Sequence, residues 1–258
     1  MENKNSQFIK YNEQIMPKPL GSDYDLIAGQ VYTLKEDKYI DGLYLEEDKD
    51  FEFPEKYYLS DSDTHFVNKV INAFKNTSKL TTGTLLSGMK GSGKTLMAKH
   101  IAKKSNLPII VIDPNVSASD VEGFFAKMTD NVCVIFDEID KYWNTRYLLG
   151  FLDGVKPSCK KLVLCTCNNE KEIDEYLNDR CSRIRYKKTF TCLTKDAING
   201  VMLDMLGDKE KAKSATEFVC NSISVVSYDN IVMFAEEVKN NPDESYDSIL
   251  ADMNIAKR

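Results

Sequence analysis

The stretch that decides the expected fold is GMKGSGKT, which runs from Gly88 to Thr95. It has the spacing G-x-x-x-x-G-K-[ST], follows the apolar residues TLL and opens the helical pattern LMAKHIAKK. The glycines let the backbone turn so that successive N–H groups point inward, and the following helix adds its positive dipole end. The stretch therefore predicts a loop that binds the phosphates of ATP.

Within this loop we expect Lys94 to reach the β- and γ-phosphates and the Thr95 hydroxyl to hold Mg²⁺. The expected nucleotide contacts are Gly88, Met89, Lys90, Gly91, Ser92, Gly93, Lys94, Thr95 and Leu96. The alternative is a Gly/Ser loop with an incidental lysine. The strand before the loop and the helix after it favour the phosphate-binding interpretation.

Two carboxylates end a second apolar stretch, VCVIFDEIDK. A strand of this kind carries Asp137 and Glu138 to its carboxyl end, which is where ligands bind in open α/β sheets. We expect Asp137 to hold Mg²⁺ through water and Glu138 to orient and polarise the attacking water. The alternative is a surface turn with solvated acids.

The rest of the chain follows an alternating pattern. From about residue 82, the apolar stretches TGTLLSG, LPIIVID, VCVIFDE, KLVLCTC and SRIRYKK alternate with helical patterns at about 94–105, 118–129, 142–153 and 172–178. This predicts an α/β fold with a parallel sheet covered on both faces. From about residue 194 the pattern indicates three or four packed helices, with breaks at Gly207 and at 240–242.

The first sixty residues differ from the rest. Residues 27–53 alternate apolar and polar around Asp41-Gly42, which predicts a hairpin and a small β element. The next segment has helical spacing, and we expect Ser62 or Asp63 to be its N-cap.

Charge and cysteine content limit the function classes. The net charge is −6, yet residues 61–189 carry 20 basic and 15 acidic residues. A basic centre between acidic flanks fits a protein that holds a polyanion, whereas bulk attraction to nucleic acid is not supported. Cys133, Cys165 and Cys167 lie in apolar stretches, so we expect buried thiols in a reducing compartment. No stretch is apolar enough to span a bilayer and the N-terminus has no apolar signal region, so we expect a cytoplasmic protein without membrane insertion.

GMKGSGKT, VIFDEID, LLGFLDGV, LVLCTCNN and the later arginines, in that order, resemble the AAA+ ATPase family over about residues 62–258. FLDGV, followed by a strand ending in Thr-x-Asn, is similar to the subgroup that contains the mitochondrial Rieske-protein translocase and related membrane and proteolytic ATPases. The short chain with an added β element also looks like members encoded by tailed phages, which would place it in the host cytoplasm.

The resemblance implies a parallel five-stranded sheet in the order 5-1-4-3-2 with helices on both faces, a C-terminal helical lid and a small N-terminal β element. The expected division is 1–60 for the N-terminal tail and β element, 61–192 for the nucleotide-binding domain and 193–258 for the lid.

The resemblance also assigns further catalytic residues. Asn168, with Asn169 as the alternative, would hold the lytic water with Glu138. Arg180 and Arg183, spaced as R-x-x-R before a strand, would reach the γ-phosphate bound by a neighbouring subunit. The alternative is that they are surface arginines paired with Asp179 or Glu175.

A site completed by another subunit implies a homo-oligomer, with a ring or spiral of six subunits as the expected form. We expect such an assembly to couple ATP hydrolysis to the remodelling or assembly of a macromolecular partner, with protein favoured over DNA. A clamp-loader or helicase-loader type of DNA-metabolism ATPase is the alternative, and Lys127, Lys141 and Arg146 would then line the ring. A structural nucleotide switch and a small-molecule kinase are less consistent with Glu138, Asn168 and the arginine pair.

Two features depart from the family. Phe124 and Phe125, beside Gly123, either form an aromatic pore loop or belong to the core, and the core is favoured. The lid positions where the family often has an arginine are Asn230, Ile231 or Val232, so no basic side chain is expected to reach the phosphates from the lid.

Overall fold

In the computed structural model, the described residues are 8–11, 14–17, 24–37, 42–153, 159–178 and 180–258. Two short strands, β1 (Phe8–Tyr11) and β2 (Gln14–Pro17), pair with each other in an antiparallel two-stranded sheet. Asp41 of the predicted hairpin turn lies outside the described residues, as do Gly154 and Val155 of FLDGV.

The centre of the molecule is a seven-stranded sheet with the order β4-β3-β6-β7-β8-β5-β9. Its strands are β3 (Val31–Asp37), β4 (Gly42–Glu47), β5 (Thr81–Gly88), β6 (Ile109–Ile112), β7 (Val132–Phe136), β8 (Lys161–Cys167) and β9 (Ile184–Phe190). Every neighbouring pair is parallel except β3 and β4, which pair as an antiparallel hairpin.

The expectation of five strands with a separate N-terminal β element is therefore wrong in its count. The observed sheet contains the predicted order of five strands and has two more, β3 and β4, at one edge. They join because β3 pairs in parallel with β6, beginning with Val31 opposite Ile109. Val31, Tyr32 and Leu34 are buried, so β3 gains more apolar burial as part of the large sheet than it would in an isolated hairpin. The domain boundaries remain a prediction.

Helices cover both faces of the sheet and form the C-terminal unit. They are α1 (Asp61–Asn76), α2 (Lys94–Ser105), α3 (Ala118–Phe125), α4 (Ile139–Tyr142), α5 (Leu148–Asp153), α6 (Glu175–Asn178), α7 (Lys195–Leu206), α8 (Lys209–Ser222), α9 (Tyr228–Asn240) and α10 (Tyr246–Asp252), with 3-10 turns at Thr145–Tyr147 and Glu170–Glu172. The predicted helix at 142–153 is interrupted because Trp143 is extended and Asn144 caps a separate turn.

Helix α1 begins two residues before the predicted position. Its N-cap is Ser60, not Ser62 or Asp63. The Ser60 hydroxyl accepts from the Asp63 N–H and the Asp63 carboxylate accepts from the Ser60 N–H, which is a reciprocal capping box. Asp63 is therefore the third residue of the helix, where it satisfies the cap's own donor.

Three apolar clusters hold these layers together. Residues of α1 and α2, among them Val70 and Ile101, pack on one face of the sheet, and residues of α3 and α5, including Phe125 and Phe151, pack on the other. A third cluster joins the four C-terminal helices. Phe125 is 1% exposed and packs edge-on against Phe151, so it belongs to the core. Among the helices in the described parts of the chain, none has the length and apolar character needed to cross a membrane.

Candidate nucleotide site

The phosphate-binding loop lies between β5 and α2, at the carboxyl edge of the sheet. Gly88 has φ +136°, and a Cβ there would lie 1.9 Å from the Phe190 carbonyl oxygen of β9. Gly91 has φ +75°, and its Cβ would lie 2.6 Å from the Cβ of Ser227. Side chains are thus excluded at both positions by close approach as well as by backbone conformation.

Lys94 is the first residue of α2 and is 5% exposed. Its Nζ donates to the Met89 carbonyl oxygen over 2.7 Å. Burial lowers the pKa of this ammonium group, while the nearby carboxylates of Asp137, Asp140 and Glu138 oppose that shift. A buried cation with one backbone acceptor is suited to an anionic ligand, because phosphate oxygens would supply the charge that the carbonyl lacks.

Thr95 and Asp137 form the predicted cation-binding pair. The Thr95 hydroxyl donates to Asp137 Oδ1 over 3.1 Å, so two oxygen donors lie side by side next to the loop. Mg²⁺ prefers a few protein oxygens together with waters and substrate phosphates, and this donor set fits it. Among the described residues, no group of three or more His, Cys, Asp or Glu is placed to hold a metal ion.

Glu138 follows Asp137 in a left-handed backbone conformation, with φ 49° and ψ 56°. This conformation is uncommon for a residue with a side chain, and it turns the carboxylate toward the cleft after the strand ends. Glu138 Oε1 accepts from Asn168 Nδ2 at 3.1 Å, and Oε2 lies 3.5 Å from Lys141 Nζ. The Asn168 hydrogen bond lowers the pKa of Glu138, which favours the charged form that a general base needs.

Of the two candidate asparagines, Asn168 is the one at the cleft. Asn168 lines the phosphate cleft, and its Oδ1 is buried without a hydrogen-bond partner in the structure. Asn169 caps the following 3-10 turn instead, since its Oδ1 accepts from the Lys171 N–H and its Nδ2 donates to Glu172. The backbone N–H groups of both asparagines donate to Asp140 Oδ2, which holds this end of β8 in place.

Sequence reasoning missed Thr166 and Asp140. The Thr166 hydroxyl accepts from the Glu138 N–H at 2.8 Å and donates to Asp137 Oδ1 at 2.5 Å, so a single side chain fixes both carboxylate residues. Thr166 is fully buried in β8, beside β7. The pattern Thr-x-Asn was visible in the sequence, but nothing local indicated that the hydroxyl would reach the neighbouring strand.

The two arginines occupy different environments. Arg180 is exposed. Arg183 is 7% exposed, and its guanidinium donates to both oxygens of Asp153, at 2.8 and 2.6 Å, and to the Tyr176 carbonyl at 2.6 Å. The alternative partner Glu175 does not bond to either arginine, and Asp179 lies outside the described residues.

A second cavity of about 240 Å³ adjoins the phosphate site, and both polar and apolar groups line it. Three separate stretches form its walls: residues 54–63 before and within α1, the loop and first turn of α2, and residues 188–201 from β9 into α7. The stretch at the start of α2 contributes Ser92, Gly93 and Leu96, and Tyr228 of α9 also lines the cavity. No contiguous motif could have indicated it, because its walls come from stretches that are far apart in the chain.

The lid contacts the loop through the start of α9. The Tyr228 N–H donates to the Gly91 carbonyl at 2.9 Å, and Tyr228 lines both the second cavity and the phosphate cleft. The positions considered from sequence lie elsewhere. Asn230 donates to the Val225 carbonyl, Ile231 is buried in the lid core, and Val232 packs against that core. Within the described residues, lysine is the only cationic residue type lining the phosphate cleft.

A parallel sheet with a phosphate-binding loop and an acidic strand end at one edge defines a P-loop ATPase. Residues 84–189 match the profile of the ATPase family associated with various cellular activities (AAA), and this part of the chain is an AAA+ ATPase domain. Such a domain binds and hydrolyses ATP, so the expectation of an ATP hydrolase is confirmed.

Curated relatives match about two fifths of the chain. The putative cell division cycle ATPase of Plasmodium falciparum is 33% identical over 118 residues, covering 37% of this chain and 10% of that protein. The chloroplastic ATP-dependent zinc metalloprotease FTSH 2 of Arabidopsis thaliana is 40% identical over 126 residues, covering 39% of this chain and 18% of that protein. The chain thus matches less than a fifth of the length of either relative.

A solved structure shows the same fold at low identity. The Thermotoga maritima RuvB Holliday junction branch migration motor superposes with a TM-score of 0.59 at 14% identity, covering 77% of this chain and 71% of that one. At this identity the likeness establishes the fold alone.

Proposed function

We propose that this chain is an oligomeric ATPase that couples the hydrolysis of Mg-ATP to the remodelling or assembly of a macromolecular partner. One observation carries the oligomeric part of this proposal. The phosphate cleft contains Lys94, Asp137, Glu138 and Asn168, but among the described residues no arginine lines it.

In phosphoryl transfer, charge develops on the equatorial oxygens of the γ-phosphoryl group, and a guanidinium from a second subunit stabilises that charge strongly. Arg180 is exposed and precedes β9, so its side chain is available to another protomer. A ring or spiral of six subunits is the form we propose, in which each ATP bridges two protomers and favours their association.

Each residue of the site has a proposed role within one protomer. The N–H groups from Gly88 to Leu96 and the Lys94 ammonium bind the phosphates, and Thr95 and Asp137 hold the Mg²⁺ that supplies charge neutralisation when bound. Glu138, oriented by Asn168, takes the proton of the attacking water at its carboxylate. The second cavity adjoins the phosphate site and has Leu96, Met97 and Tyr228 in its lining, so we assign it to the base of the nucleotide.

A protein partner is favoured over DNA. The residues before α1 are acidic overall. The β3–β4 hairpin lies among them, outside the matched residues 84–189, and its strand β4 forms one edge of the sheet. Of the basic residues considered for DNA, Lys141 contacts Glu138 and Tyr142, and Arg146 is paired with Asp174 at 3.6 Å. We also propose that the protein works in a reducing compartment, the cytoplasm, where the buried thiols of Cys133, Cys165 and Cys167 act as small core residues.

The experiment that tests this function mixes two inactive variants. Arg180→Ala subunits keep an intact Glu138, and Glu138→Gln subunits keep an intact Arg180. Each variant alone should hydrolyse ATP at least about a thousandfold more slowly than the unmodified chain, while the mixture should regain activity because intact halves meet at some interfaces. No recovery in an assembled mixture would contradict the proposal. Stimulation of hydrolysis by DNA would instead favour the DNA-metabolism alternative.

A further inference from the structure

The ion pair between Asp153 and the buried Arg183 lies close to the exposed Arg180 in the chain, and neither member lines the phosphate cleft. Asp153 is the last residue of α5, and Arg183 immediately precedes β9. Three of the five N–H donors of the guanidinium are engaged, two by the Asp153 carboxylate and one by the Tyr176 carbonyl in α6. The bidentate geometry is the strong, directional form of this interaction.

The same residue also holds the backbone of Arg180. The Arg183 N–H donates to the Arg180 carbonyl at 2.9 Å, and the Ile184 N–H donates to the same oxygen at 3.2 Å. The turn that contains Arg180 is therefore tied through one residue to α5, α6 and β9. The Arg183 guanidinium is buried, and a buried cation without a charged partner is costly, so the ordinary state of Arg183 is the paired one.

We infer that Arg183 is a positioning residue: its contacts with Asp153 and the Tyr176 carbonyl fix the turn that presents Arg180, and Arg180 alone supplies the guanidinium to the neighbouring site. This inference rests on the proposed function, because it assigns the trans contact to one of the two arginines. A displacement of about 1 Å at a reacting group can lower the rate about a hundredfold. The hydrogen bonds that hold this turn would therefore matter for the rate, because they keep Arg180 in position.

The test compares Asp153→Asn, Arg183→Gln, their combination and Arg180→Ala, with Arg185→Gln as the matched control. Arg185 is an exposed arginine in β9, two residues after Arg183, and its substitution removes the same charge outside the turn. For each variant, kcat and ATP affinity are measured on assembled protein, and a urea unfolding curve reports whether the fold is kept.

Arg180→Ala should lower kcat about a thousandfold. Asp153→Asn and Arg183→Gln should each lower kcat about ten- to a hundredfold, and the double variant should be no slower than the slower single variant because both act on one contact. ATP affinity should be unchanged in all of them, and Arg185→Gln should resemble the unmodified chain.

A mixing experiment separates positioning in trans from a local folding defect. Asp153→Asn subunits have an intact phosphate loop, so excess Glu138→Gln subunits, whose turn is intact, should restore their turnover. The inference is overturned if Asp153→Asn, which keeps the arginine and frees it, leaves kcat unchanged while Arg183→Gln abolishes turnover. It is also overturned if mixing with Glu138→Gln subunits restores the turnover of Arg180→Ala but not the turnover of Asp153→Asn.

The two proposals fail in different ways. Full turnover by Arg180→Ala would remove the proposed trans site itself. Loss of turnover in Arg180→Ala together with an unaffected Asp153→Asn would remove only the positioning role.

Discussion

The side-chain amide of Asn168 donates to the Glu138 carboxylate over 3.1 Å, joining the end of one buried strand to the end of its neighbour. The contact fixes one carboxylate oxygen and leaves the other toward the cleft. Lys141 lies 3.5 Å from that second oxygen. The Glu138 carboxylate, the proposed general base, is therefore already oriented before any nucleotide binds. Such preorganisation lowers the reorganisation that the reaction requires.

We predict that Asn168→Ala lowers kcat about ten- to a hundredfold while ATP affinity stays unchanged, because only the orientation of the base is lost. Steady-state hydrolysis and calorimetric binding measure the two quantities. Asn169→Ala is the control, and it should affect only the turn that it caps. An equal effect of the two substitutions would show that Asn168 is wrongly assigned as the residue that orients Glu138.

Thr166→Val should impair hydrolysis although the two side chains have nearly the same shape. The hydroxyl that accepts from the Glu138 N–H and donates to Asp137 is lost, and a buried N–H without a partner costs about 1–3 kcal/mol. We expect lower kcat and a higher Mg²⁺ concentration for half-maximal activity. Thr166→Ser keeps the hydroxyl and should retain most of the activity; equal impairment in both variants would argue that packing is responsible.

Gly91→Ala should weaken ATP binding, since a methyl group there meets the Cβ of Ser227 at 2.6 Å and the backbone has φ +75°. Adding Ser227→Gly removes the obstruction, and glycine replaces serine as an N-cap at a cost of only a few tenths of a kcal/mol. The double variant should therefore regain part of the affinity in a calorimetric titration. If it binds no better than Gly91→Ala alone, backbone strain accounts for the whole effect.

The Asp153–Arg183 pair should make stability depend on pH. The Arg183 guanidinium holds the pKa of Asp153 below its ordinary value. A lowered folded-state pKa contributes stability above the unfolded value of about 3.9, and that contribution is lost as the pH falls through the folded value. Asp153→Asn should thus lower the urea midpoint more at pH 7 than at pH 3. The exposed Asp243→Asn is the control, and equal losses at both pH values would contradict the assignment.

Sequence reasoning was most successful where the signal is contiguous. The loop from Gly88 to Thr95 and the end of β7 each lie within one stretch, so spacing and hydrophobicity were sufficient to predict the strand, the turn and the helix. Helix α2 has the predicted bounds. The count of strands failed because pairing of β3 with β6 joins residues almost eighty positions apart, and alternation within the hairpin does not reveal what lies beside it.

The same limit applies to the site. Asp153 and Arg183 are 30 residues apart, and no local pattern indicates that the arginine is buried against that carboxylate. The role of Thr166 depends on the register between β7 and β8, and the second cavity depends on stretches that are far apart in the chain. Side chains that act within one segment could be predicted, whereas side chains that act across segments required the fold.

The central claim is that the site of one protomer is completed by another. The most direct test is the ATPase rate per protomer as a function of protein concentration, with the mass of the assembly measured in the same samples. We predict a rate that rises together with the appearance of the oligomer and then levels off. Full turnover per protomer in samples that remain monomeric at every concentration would contradict the claim.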